Sequence, residues 1–280
     1  MVRNSFMRLA LLPVRLRTAL SYYWVPIKQI ASWLITSKEN TNFSYNLTEL
    51  NEHYLACFVA EVTGASMDTV HGYIQEIKGD SNLIEHISSM IRESKWRYKA
   101  DEQPKWGRRI GWYALIRITK PRVVVETGVD KGLGSCVIAA ALQKNDEDGY
   151  PGFLYGTDIN LNAGYLLESP YDKYGEILYG DSIMSLERLD ENIDLFINDS
   201  DHSVDYEMRE YLTISEKLSD SALIVGDNSH FSDKLLNFAN ETGRRFLFFQ
   251  EQPIAHWYPG GGIGIAFSDA SRVRAQRDVF

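Results

Sequence analysis

The chain has 280 residues, 44% hydrophobic and 24% charged, which is enough apolar material for a sizeable core and argues against wholesale disorder. Its net charge of −9 repels phosphate backbones and argues against a nucleic-acid partner. Cys57 and Cys136 are its two cysteines, too few for a disulfide framework or a zinc cluster, and they fit a reducing, cytoplasmic compartment.

Residues 1–40 form a basic arm. Arg3, Arg8, Arg15, Arg17, Lys28 and Lys38 face one acid, Glu39, so the arm carries +5 and the rest of the chain −14. The arm is rich in Leu, Trp, Tyr and Ile. Pro13, Arg15, Arg17, Pro26 and Lys28 keep any apolar run below the ~18–20 residues that a membrane-spanning helix needs. Two readings stay open. The arm is a peripheral membrane contact with its basic residues toward anionic lipid, or a pair of helices packed on the domain or on another subunit of a homo-oligomer.

Residues 41–105 read as a helical subdomain. Leu47, Leu50, Tyr54, Phe58 and Val62 recur every three to four residues, and Gly64 stands where such a helix stops. Ser66 can cap a second helix carrying Val70, Ile74 and Ile77, and Gly79-Asp80 ends it. A third helix carries Leu83, Ile87 and Ile91, and a charged link, 93–105, follows.

From Trp106 to the C-terminus the pattern changes. After a helix over 109–118, short apolar runs alternate with helical stretches. The runs are 123–125, 153–155, 177–179, 195–197, 222–225, 246–249 and 263–267. Strands alternating with helices predict a parallel sheet covered on both faces. The last two runs are joined by a loop with Pro253, Pro259 and Gly260-Gly261-Gly262, too irregular for a crossover helix. The expectation is an α/β Rossmann-like sheet of seven strands, six parallel and the seventh antiparallel.

The first strand runs into Glu126-Thr127-Gly128-Val129-Asp130-Lys131-Gly132-Leu133-Gly134-Ser135. Gly128 permits a sharp turn, and Gly132 with Gly134 lets a helix start close to strand and ligand. The spacing is E-x-G-x-x-x-G-x-G rather than the G-x-G-x-x-G of dinucleotide binders. Acids flanking the loop suit a cationic ligand better than a pyrophosphate. The second strand ends at Asp158, which can accept both hydroxyls of a ribose. The third ends in Gly180-Asp181, where Asp181 either reaches an adenine amino group or caps the next helix.

The fourth strand opens into Asp199-Ser200-Asp201-His202, and the fifth ends in Asp227-Asn228-Ser229-His230. Neighbouring strands put Asp199 beside Asp227 and Asn228, three oxygen ligands suited to Mg²⁺. His202 and Asp201 are candidate bases, with His230 a further one. Asp201 can equally be a helix cap, and Asp227-Asn228 a turn.

These motifs, in this order, resemble the class I S-adenosylmethionine-dependent methyltransferases over about residues 106–268. Within them, E-x-G-x-x-x-G is similar to the metal-dependent small-molecule O-methyltransferases of the catechol and macrolide-sugar types. The resemblance implies that Glu126, Gly128 and Asp158 contact the cofactor, that Asp199, Asp227 and Asn228 hold Mg²⁺, and that His202 is the base. It implies Mg²⁺-assisted methylation of a small hydroxylated metabolite or sugar, with S-adenosylmethionine as methyl donor. A metal-independent methyltransferase and a non-catalytic protein on the same fold are the alternatives. His256-Trp257-Tyr258-Pro259 is expected either beside the substrate or clamping the N-terminal helices. Trp112 and Tyr113 are expected in the core.

Overall fold

Val123-Val124-Val125 has no polar alternation, so a strand built from it must be covered on both faces. In the computed structural model, which describes residues 8–41, 43–201, 203–227 and 229–272, it forms the buried strand β1 (Val123–Thr127) at the centre of one sheet. The other strands are β2 (Phe153–Asp158), β3 (Gly175–Tyr179), β4 (Ile193–Asn198), β5 (Leu218–Gly226), β6 (Arg245–Gln250) and β7 (Gly262–Phe267). Their order is β3-β2-β1-β4-β5-β7-β6. β1 to β5 pair in parallel, and β7 lies antiparallel between β5 and β6. This is the six-plus-one Rossmann-like sheet that the strand pattern predicts.

Among the described residues the α-helices that frame the sheet and site are α1 (Leu12–Thr36), α2 (Glu49–Thr63), α3 (Met67–Lys78), α4 (Ser81–Glu93), α5 (Arg109–Thr119), α6 (Leu133–Glu147), α7 (Ser182–Arg188), α8 (Val204–Ile214) and α9 (Lys234–Glu241). Local sequence explains the ends of α2 to α4. Thr48, Ser66 and Asp80 accept backbone N–H groups of the first turns of α2, α3 and α4, and Gly64 ends α2 in a left-handed conformation. Trp112 and Tyr113 are fully buried on α5, as expected of core residues.

Leu186, Tyr211, Ile214, Leu235 and Phe238, from α7, α8 and α9, pack on one face of the sheet. On the other face a single cluster runs from the sheet through α5 and α6 out to Leu55, Val59, Ile74 and Leu83 of α2, α3 and α4. Residues 41–105 therefore share one core with the sheet. Asn51 seals the junction: its Nδ2 donates to the Gln250 carbonyl at 3.0 Å, and its Oδ1 accepts the Gln252 N–H at 2.8 Å. The arm behaves differently. Helix α1 is continuous through Pro26 and buries no residue.

Candidate active site

Parallel strands bring their C-terminal ends to one edge, and the strand order reverses between β1 and β4. Ligands of open α/β sheets bind outside such a reversal. Two adjoining cavities lie there, of about 470 and 460 Å³, and Gly128, Asp130 and Asp199 belong to the walls of both.

The glycine loop is shaped by close approach. Gly128 has a φ of +84°, and a Cβ there would overlap the Asp199 carbonyl, because the loops after β1 and β4 touch. A Cβ on Gly134, in the first turn of α6, would overlap the Glu126 carboxylate. Gly132 is the N-cap of α6.

Glu126 is 2% exposed and accepts the Ser135 hydroxyl. Loss of water pushes its pKa up to about 7, against the opposing effects of Ser135 and Arg109. A cationic ligand group in the larger cavity, whose wall includes Glu126, would favour the ionised form.

Asp158 and Asp181 line the second cavity. Asp158 already orders the loop: Oδ2 accepts the Asp130 N–H at 2.9 Å and Oδ1 the Asn160 N–H at 2.8 Å. Of its two expected roles, Asp181 takes that of helix cap. Oδ1 caps α7 through the Met184 N–H at 3.0 Å, while Oδ2 accepts the Tyr206 hydroxyl at 3.2 Å. Asp201 also lines this second cavity, and its Oδ1 accepts the Ser203 N–H at 2.8 Å. It is absent from the wall of the larger cavity, where Asp227 lies.

Asp199 and Asp227 come together at the adjacent ends of β4 and β5, as the strand order requires. Both also meet Arg108, from the turn before α5. Its Nε and Nη2 contact the two Asp227 carboxylate oxygens, Nη2 lies 3.5 Å from Asp199 Oδ2, and Nη1 lies 3.6 Å from Glu251 Oε2. The side chains of Arg108, Asp227 and Glu251 are at most 8% exposed. Burial opposes the Arg108 charge, but Asp227, Glu251 and Asp199 outweigh it and raise the pKa further. Burial and the neighbouring Asp227 raise the Asp199 pKa well above the carboxylate range. Arg108 takes both Asp227 oxygens, so the residues as placed do not fit a divalent ion held by these two carboxylates. Among the described residues, no group of three or more His, Cys, Asp or Glu could hold a metal ion. Asn228 and His202 lie outside the described residues.

Arg108, Glu251 and Tyr45 were not singled out by sequence. Glu251 accepts the Tyr45 hydroxyl at 2.8 Å and the Arg108 backbone N–H at 3.0 Å. Nothing local marks them, since they lie about 60 and 140 residues apart and meet only through the fold. A second buried acid, Glu210 of α8, accepts the Ser200 hydroxyl at 2.7 Å and the Thr127 hydroxyl at 3.3 Å, and so ties β1 to the β4 loop.

His230 lines the larger cavity. Its Nδ1 lies 3.0 Å from the Gly262 nitrogen and 3.3 Å from the Gly262 oxygen, so either neutral tautomer is served. Its Nε2 is buried with no hydrogen-bond partner among the described residues. The 256–258 segment splits between the two expected roles. Tyr258 lines the cavity, His256 packs against Tyr45, and Trp257 meets Trp33 of α1 edge-on at 5.5 Å. Residues 41 and 43–45 complete the wall, whereas α2, α3 and α4 contribute nothing to it.

Residues 125–229 match the family model of a methyltransferase domain. No curated protein matches the sequence. Among solved structures, the chain is similar to an O-methyltransferase of Streptomyces achromogenes involved in tomaymycin synthesis, in complex with SAM. Identity is 15%, over 67% of this chain and 90% of that one, with a TM-score of 0.48. A methyltransferase of Geobacter sulfurreducens is 19% identical over 65% and 88% of the two chains, with a TM-score of 0.45. An SAH-bound methyltransferase of Podospora anserina is 13% identical over 79% and 97%, with a TM-score of 0.47.

Proposed function

From the premise of a methyltransferase domain over residues 125–229, we propose that the chain binds S-adenosylmethionine across the two cavities and methylates a hydroxyl of a small acceptor, with Arg108 in place of a divalent ion. The observation that carries the binding step is Glu126. Burial pushes the pKa of this carboxylate up to about 7, and a positively charged ligand group in the cavity beside it would favour the ionised form. S-adenosylmethionine brings two such groups, an ammonium and a sulfonium. Asp158 and Asp181 line the neighbouring cavity, where ribose hydroxyls and an adenine amino group find acceptors.

When bound, the cofactor supplies an electrophilic methyl group. The chain's own residues do the rest. Gly128 and Gly134 let the backbone approach without a Cβ. Arg108, held by three acids, lines the larger cavity, where a guanidinium N–H can donate to the acceptor oxygen. His230 is the candidate base for the acceptor proton through its buried Nε2. Tyr258 and Phe43 give the cavity an aromatic wall suited to a small, partly apolar acceptor. The Mg²⁺-assisted version is disfavoured because Arg108 already occupies both carboxylate oxygens of Asp227.

Isothermal titration of the protein with S-adenosylmethionine, with Mg²⁺ and then with EDTA, tests both halves. Saturable binding that is indifferent to EDTA supports the reading. Lack of binding ends it, and a Mg²⁺ requirement ends the role given to Arg108.

A further inference from the structure

Helix α1 is out of keeping with the rest of the molecule. It is 25 residues long, about 37 Å at 1.5 Å per residue, and buries nothing. Leu12, Leu16, Leu20, Tyr23, Ile27 and Ile30 follow one another every three or four residues, and each is at least 41% exposed. At 100° per residue they form one apolar stripe. Arg15 falls on one flank of it, and Arg17 and Lys28 on the other. Thr18, Ser21 and Ser32 lie opposite, where Val14 and Val25 are exposed apolar exceptions. No acid occurs between Arg8 and Lys38, while the rest of the chain is strongly negative.

We infer that α1 is a docking surface for an anionic lipid membrane, lying flat with the apolar stripe in the interface and Arg15, Arg17 and Lys28 against the headgroups. Three observations favour this occupant. The basic residues flank the stripe on both sides, where their long side chains reach the headgroup layer. The alternative of a second copy would set two acid-free cationic helices side by side, with no opposite charge to pair. No described helix is long and apolar enough to cross a membrane, so the surface and not the interior is the fitting site. The inference is independent of the methyl-transfer reading.

The far end of α1 is tied to the mouth of the larger cavity. Trp33 meets Trp257, the Ser37 hydroxyl and the Lys38 N–H donate to Asp101 at 2.9 and 2.8 Å, and Glu39 pairs with Lys131 of the glycine loop at 3.0 Å. A membrane-seated α1 therefore holds the cavity rim next to the lipid.

Flotation of the full chain with phosphatidylcholine vesicles, with and without phosphatidylserine, tests the inference. The wild type is expected to float with the phosphatidylserine vesicles and to be released by high salt. At roughly 1 kcal/mol per basic residue near the surface, Arg15→Ala with Arg17→Ala weakens partitioning about thirtyfold. Leu16→Glu with Leu20→Glu abolishes it, and since α1 buries no residue the thermal melt stays unchanged. Absence of flotation at low salt overturns the inference. So does equal binding to both vesicle types that ignores the arginine changes. A dimer in sedimentation that Leu20→Glu dissolves, without vesicle binding, assigns the stripe to self-pairing instead.

Discussion

The Arg108 guanidinium grips both carboxylate oxygens of Asp227 at the end of β5. Removing one partner of a buried pair leaves an uncompensated charge, which costs about 3–5 kcal/mol. Arg108→Ala is therefore expected to lower thermal stability by several degrees. The same change removes the cation that Asp227, Asp199 and Glu251 share, so millimolar Mg²⁺ or Mn²⁺ should restore part of the melting temperature in the variant and do nothing for the wild type. Differential scanning calorimetry with and without the ion checks this, and equal stabilisation of both proteins would contradict it.

Glu126 predicts a pH dependence of cofactor binding. With its pKa at about 7 in the free protein, Glu126 is mostly protonated at pH 6 and mostly ionised at pH 8. A cationic ligand binds the ionised form, so the Kd for S-adenosylmethionine should fall as pH rises from 6 to 8, and a proton should be released on binding below pH 7. The slope approaches tenfold per pH unit on the acid side. Glu126→Gln should bind more weakly and give a flat profile over the same range. A flat wild-type profile would mean that the ligand's charge is compensated elsewhere.

Asp158 should contribute the ribose contact. Losing a hydrogen bond to a charged acceptor costs about 1.5–3 kcal/mol. Asp158→Ala is thus expected to raise the Kd for S-adenosylmethionine at least tenfold. The same substitution also frees the Asp130 and Asn160 N–H groups. Asp158→Asn, which keeps one acceptor oxygen, should fall between the two. Calorimetric titration of both variants decides.

Gly134→Ala separates packing from chemistry. Its methyl group would have to enter the space of the Glu126 carboxylate. Strain of this kind typically costs about 1–3 kcal/mol. The variant should melt earlier and lose cofactor binding, because displacing Glu126 removes its bond from Ser135. A variant that binds normally would show that Glu126 is free to move.

His230→Gln should leave cofactor affinity near that of the wild type. If the ring takes the acceptor proton, the turnover rate should drop by about 10²–10⁴. The loss should shrink as pH rises, when the acceptor ionises without help. A rate unchanged at neutral pH would remove His230 from the mechanism.

Much of the fold could be read from local pattern. All seven strands lie where the apolar runs predict, and β1, β4 and β7, covered on both faces, need an unbroken apolar stretch. Thr48, Ser66, Gly64 and Asp80 mark helix ends by short-range hydrogen bonding and backbone freedom, which depend on residues only a few positions apart. The same holds for the turn at Gly128 and for the acids at the strand ends, since the parallel sheet delivers every strand's C-terminal residue to one edge. The charge contrast between the arm and the rest is likewise a property of sequence alone.

Tertiary structure decided what stands beside those acids. Arg108, in the link before α5, and Glu251, after β6, have no periodicity or motif to mark them, and long-range packing brings them to Asp199 and Asp227. Whether two neighbouring carboxylates face a metal or a guanidinium depends on a side chain some 90 to 120 residues away in the chain. The same is true of the arm. Its apolar and basic composition is written in the sequence, but only the packing of every other helix around the sheet shows that α1 is left uncovered, because burial is a property of the whole fold.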